Sequence, residues 1–206
     1  MKARRVKGLD PAMPLADALE RIVRVRLDEL CSLAPRALNP RKVEASHDLR
    51  IAAKRLRYIL EVGAEPCFGP YAATAAKRAK ALQDLLGELH DCDVQLPRVL
   101  ALADELRAVD AREVRRLAGP ADDLDPAKAA GTTHAEAFRG LQTLAVFLQA
   151  RRALLFERFG ELWTGLEREG FRARLEYAIG ERPAPSSPDA AGPVAYDALA
   201  STPGAP

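Results

Sequence analysis

His47, Arg50, Lys54 and Arg57 recur at intervals of three and four residues along a single stretch of the chain. A helical repeat of about 100° per residue gathers them, with Tyr58, into about 100° of arc. Leu49, Ala52, Ala53, Leu56, Ile59 and Leu60 fall on the opposite arc, and Arg55 and Ile51 lie on the flank. Like charges stacked this way repel by a few tenths of a kcal/mol per neighbouring pair, roughly, and only Glu61 shares the stripe to relieve them. A surface shaped for solubility would intersperse the signs. The stripe therefore predicts a polyanionic guest whose charge offsets the repulsion. Arginine forks onto two oxygens, lysine supplies a mobile point charge, and donors three and four residues apart repeat about every 5 Å along a helix. His47 would add a further charge when mild acid protonates it.

Other candidates are weaker. Lys77 and Lys80 share a face of the next helix and matter to such a site only if that face packs beside the first. Arg26 falls inside the arc of Leu15, Leu19, Ile22 and Leu30, and Arg152 interrupts the stripe of Leu144, Leu148, Leu155 and Phe159, with Arg151 and Arg158 at its flanks. An arginine on an inward stripe needs a carboxylate or a wet cavity. Both a buried bridge and a cation-lined channel remain open for these two. His47-Asp48 and His90-Asp91 suggest a metal-dependent phosphohydrolase, with His134 to complete a shell. Three neighbouring cations would repel a dication at His47, however, and Asp48 points about 100° away from it. Neither metal nor cofactor is expected. No GxSxG, Walker loop or GxGxxG occurs, so nucleophilic catalysis and nucleotide cradling have no motif to rest on. The expectation is a binding protein and not an enzyme.

Apolar residues keep helical spacing almost throughout, which predicts an all-α antiparallel bundle of about five to seven helices. A basic segment at 1–14 precedes it, and the bundle occupies 15–180. The first helix is expected from Leu15 to about Ala34, ended by Pro35 and Asn39-Pro40. The second runs from about Arg41 to Val62, and the third begins near Gly69-Pro70. A fourth spans about Val94 to Val109, reaching at most Leu117, with Asp91 or Asp93 at its cap. Gly119 to Gly131 reads as a loop. The last long helix covers about His134 to Arg168, and a short one Phe171 to Ile179. From Glu181 onward six of 26 residues are proline, and that tail reads as disordered.

The whole chain nets only +2, but residues 1–80 carry 17 Lys/Arg against 9 Asp/Glu, and residues 81–206 carry 14 against 20. A near-neutral sum thus hides a basic half and an acidic half. Three scattered cysteines without a CxxC predict reduced, buried thiols. No apolar run has the length of a membrane span, and the basic start leads into no apolar signal region, so the expected place is the cytoplasm.

The segment His47-Asp-Leu-Arg50-Ile-Ala-Ala-Lys54-Arg55-Leu-Arg57-Tyr58 resembles the signature helix of the CHAD family, the conserved histidine α-helical domain. Leu82-Gln-Asp-Leu-Leu-Gly87-Glu-Leu-His-Asp91-Cys-Asp93 is similar to that family's second block. The resemblance extends over roughly 15–180 and is strongest over 44–95. It implies a helical bundle that binds inorganic polyphosphate through basic residues, and association with polyphosphate granules. It also implies that His47, Arg50, Lys54, Arg57 and Tyr58 lie on the binding helix, with Lys77 and Lys80 on the facing one. Longer members carry two related halves, each with a basic helix. After Gly131 this chain offers only His134, Arg139, Arg151, Arg152 and Arg158. Either its second half has lost its share of the site, or two chains in a homodimer supply one groove. Nucleic acid, as a weaker competitor, and an acidic partner protein are the alternative guests of the basic face.

Overall fold

The computed structural model describes residues 2–181; the proline-rich segment read as a disordered tail lies, beyond Glu181, outside the described residues. The described residues form six α-helices and one π-helical turn: α1 Leu15–Ala37, α2 Val43–Gly63, the turn Ala64–Phe68, α3 Pro70–Ala118, α4 Pro126–Ala130, α5 Ala135–Arg168 and α6 Phe171–Gly180. The all-α expectation holds, and α2, α5 and α6 match their expected spans within two residues.

One proline signal misleads, and one expected helix break is absent. Pro35 lies inside α1, which continues to Ala37. The expected third and fourth helices are one helix of 49 residues, and Pro97 sits within it. Neither Asp91 nor Asp93 caps anything. Leu82, Leu86, Leu89, Cys92, Val99 and Ala103 keep an unbroken buried stripe across the expected break, so burial on both sides of Pro97 outweighs a cost of about 3 kcal/mol. Pro97 is itself exposed, which leaves water within reach of the carbonyl it frees. The expected loop from Gly119 to Gly131 holds the short α4, whose cap, Asp125, accepts from the Ala127 N–H at 2.9 Å.

α1, α2, the first half of α3, the second half of α5 and α6 enclose the core, in which Leu27, Leu30, Leu49, Leu56, Leu60, Leu82, Leu86, Phe159, Leu175 and Ile179 are almost wholly buried. Truncating any one of these leucines to alanine costs about 2–5 kcal/mol. Gly63 lets α2 end hard against α1, where a Cβ would stand 2.6 Å from Leu19 Cδ1. Gly170, at φ 66°, makes the left-handed turn from α5 to α6. Residues 2–14 are tied to α1: Arg4 N–H donates to Glu29 at 3.2 Å, Arg4 Nη2 to Ser32 Oγ at 2.6 Å, and Arg21 to the Gly8 carbonyl at 2.8 Å.

The second half of α3 and the first half of α5 extend beyond this core as a two-helix arm, pinned by His134 Nδ1 on Asp110 at 2.6 Å. Burial pushes the Asp110 carboxyl up, but hydrogen bonds from His134 and Thr132 outweigh it and hold the group below the usual carboxylate range. Leu144, expected inside, is exposed here together with Leu100, Leu102, Val146, Phe147 and Leu154. At this level two helices alone cannot cover each other's apolar sides.

Candidate functional site

The pairing of α2 with α3 builds the candidate site. Leu49, Ala52, Ala53, Leu56 and Leu60 are buried as expected, which turns the basic stripe outward along the seam with α3. Two contacts fix the antiparallel register. The His47 and His90 rings meet with centroids 4.6 Å apart. At the other end Glu61 and Val62 share a groove of about 480 Å3 with Ala73, Ala76, Lys77 and Lys80. In that register Gly87 lies level with Arg50, Gln83 with Lys54, and Lys80 with Arg57. From His47 to Arg57 the seam runs about 15 Å.

Buried polar atoms need partners, and leaving one without costs about 1–3 kcal/mol. Along this seam His47 Nδ1, Arg50 Nε, Arg57 Nε and Gln83 Oε1 are buried and make no hydrogen bond among the described residues. The Arg57 nitrogen stands 3.3 Å from Glu61 Oε1, close enough for charge attraction but outside hydrogen-bond geometry. Arg57 and Lys54 also lie over the Tyr58 ring, 4.6 and 5.6 Å from its centroid, so the aromatic holds both cations in place without neutralising either. Lys80 pairs with Asp84 at 2.5 Å in full exposure, a contact worth at most about 1 kcal/mol and readily exchanged. Burial, followed by repulsion from His90 and Arg50, lowers the pKa of His47.

The other three expected site residues are placed elsewhere. Arg26 and Arg55 both bind Glu29, at 2.6 and 3.2 Å, and Glu29 is only 1% exposed. Arg26 Nη2 also donates to the Arg4 carbonyl at 2.9 Å. Arg152 is paired with Asp93 and donates to the Pro40 carbonyl at 3.1 Å, tying α5 to α3 and to the α1–α2 loop. Of the alternatives left open for the inward arginines, these contacts realise the buried bridge. Arg151 pairs with Glu88 across the same seam at 2.6 Å. The structure thus gathers His47, Arg50, Lys54, Arg57, Tyr58, Lys77 and Lys80, and sets Arg26, Arg55 and Arg152 into the frame.

Gln83, Gly87 and His90 form the facing wall; all three lie in the segment similar to the family's second block, but residue types and spacing gave them no place in the groove. Gly87 stands mid-helix, where glycine costs about 0.5–1 kcal/mol relative to alanine, and a Cβ there would enter open space. No three His, Cys, Asp or Glu side chains among the described residues are grouped to hold a metal ion. The three cysteines are unpaired thiols. No helix among the described residues is long and apolar enough to cross a membrane.

A helical bundle whose seam gathers cations with buried nitrogens left without hydrogen bonds is the class of molecule these features define. The model of the CHAD domain matches residues 2–100, and through that N-terminal half the chain belongs to the CHAD family. The match is narrower than the resemblance over 15–180: it contains α1, α2 and the groove-forming part of α3, and leaves out α5 and α6. No curated protein and no solved structure matches the chain.

Proposed function

We propose that the seam between α2 and α3 is a non-catalytic binding groove for inorganic polyphosphate. CHAD membership is consistent with such a ligand, and one structural observation carries the assignment to this groove. Four buried polar atoms, three of them nitrogens of His47, Arg50 and Arg57, line a single seam without a hydrogen bond among the described residues. A flexible chain of phosphates offers acceptors to the three nitrogens at once, while Gln83 Oε1, itself an acceptor, gains no partner from it. The phosphate chain brings oxygen acceptors at short intervals, offsets the repulsion within the stripe and requires no base-stacking platform. Lys54 and Lys77 add mobile charge at the rim, and Lys80 does so by exchanging Asp84 for phosphate. The same reading associates the chain with polyphosphate granules.

The test is a titration of the purified chain with long-chain polyphosphate at low and at moderate salt. The five lysines and arginines of the groove, each neutralising one phosphate, predict that log affinity falls with log salt at a slope of about −3 to −4. Duplex DNA and single-stranded RNA enter as competitors, and polyphosphate displaces both at the lower concentration. A chain that ignores polyphosphate at low salt, or that nucleic acid occupies more tightly, overturns the proposal.

A further inference from the structure

We propose that His47 and His90 form one proton-linked phosphate subsite at the end of the groove, taking up a single proton as the polyphosphate chain arrives. This inference rests on the polyphosphate reading of the groove and specifies how that site responds to pH. It starts from an arrangement that the single-helix stripe does not contain. The two rings come from different helices, stand 4.6 Å apart and are tilted by 44°. Two imidazolium ions at that separation repel strongly, so the pair has room for one proton at most.

The surroundings favour a neutral His47 until an anion appears. On α2 the charged neighbours are Arg50, which disfavours a proton on His47, and Asp48, which favours one; on α3 the facing group is His90 itself. Of the acids that follow His90, Asp93 is engaged by Arg152 and Asp91 is exposed. Burial and these neighbours keep the His47 ring more reluctant to protonate than an ordinary histidine. Its Nδ1 is nevertheless buried without a partner, so a phosphate oxygen placed there would gain a charge-assisted hydrogen bond once the ring is protonated. The proton comes from solvent, no bond is made or broken, and the site gains one positive charge only while occupied.

Calorimetric titration with long-chain polyphosphate, in buffers of different ionisation enthalpy at about pH 8 and about pH 6, reads both affinity and proton uptake. Long chains are used because their internal phosphates stay singly charged across this range. The expected result is an affinity about tenfold higher at the lower pH, with up to one proton taken up per chain bound. The double variant His47→Gln/His90→Gln is expected to take up no proton on binding and to gain less than about twofold in affinity on acidification. Should that variant fail to fold, proton NMR of the parent supplies the second reading: the His47 ring signal titrates below the ordinary histidine range in the ligand-free chain and above it in the complex. Tight binding that is equally strong at both pH values, with no proton uptake, overturns the subsite and leaves the groove standing. No binding at either pH overturns the groove itself.

Discussion

Arg50 and Arg55 stand five residues apart on α2 and occupy opposite environments. Arg55 turns to the α1 seam, where Glu29 is nearly inaccessible and serves Arg26 and the Arg4 backbone as well. Arg50 turns to the α3 seam, where no carboxylate among the described residues pairs with it and its Nε is buried without a hydrogen bond. One helix therefore carries the same side chain in two roles. The difference shows that a cation's position on a stripe does not separate frame from site; the presence or absence of a buried acid opposite it does.

The largest effect expected from this contrast is on stability at the α1 seam. Glu29→Gln leaves Arg26 and Arg55 without their shared anion. Because Arg55 keeps some access to water, the loss is expected at about 2–3 kcal/mol, below the range for a wholly buried pair. Urea denaturation measures it. Polyphosphate affinity, read on the same preparation below its unfolding transition, stays within about twofold. A Glu29→Gln chain that is fully stable would erase the distinction between the two seams. Arg152→Ala follows at about 1–3 kcal/mol, since it leaves Asp93, itself 7% exposed, without its partner.

At the α3 seam the order of effects reverses. Arg50→Ala removes a charged donor from the ligand and an unpaired nitrogen from the apo protein. Affinity is expected to fall about tenfold or more, while the unfolding free energy stays within about 0.5 kcal/mol of the parent. Gly87→Leu examines the groove without touching a charge. It places bulk in the open space opposite Arg50, weakens polyphosphate binding, and leaves stability unchanged or raises it by up to about 1 kcal/mol. Unaltered binding in Gly87→Leu would move the ligand off this seam.

The smallest expected effect concerns pH. The folded pKa of His47 is lowered, so the unfolded chain binds more protons near and below the ordinary histidine value of about 6.5. Stability of the ligand-free protein therefore declines as the pH falls through that value, and is recovered above it. The expected drop in melting temperature is a few degrees at most, roughly, and is absent from His47→Gln. Added polyphosphate reverses the drop in the parent.

How much of this was legible in the sequence follows the reach of each signal. Helix α2 was, because periodicity and the stripe lie within one element. So were α5 and α6, which a glycine separates. The continuity of α3 was not. Asp91 and Asp93 carry local cap signals, and only packing against α2 on one side and α5 on the other overrides them. Arg26 and Arg152 stood out as inward arginines, yet Asp93 and the second claim of Arg55 on Glu29 depend on how helices meet. The wall of Gln83, Gly87 and His90 was hidden for the same reason. A glutamine, a glycine and a histidine on a helix become a site only once α2 is laid against them in one register. The match over residues 2–100 spans both of those helices, so the family relation and the groove coincide in the same half of the chain.

Binding of long-chain polyphosphate by Arg50→Ala/Arg57→Ala, set beside Arg26→Ala/Arg152→Ala in one calorimetric series with melting temperatures, tests the division between site and frame most directly. The groove pair is expected to lose about a hundredfold in affinity at an unchanged melting temperature. The frame pair is expected to melt lower and, while folded, to bind as the parent does. Equal loss of affinity in both pairs, or loss confined to the frame pair, would contradict it.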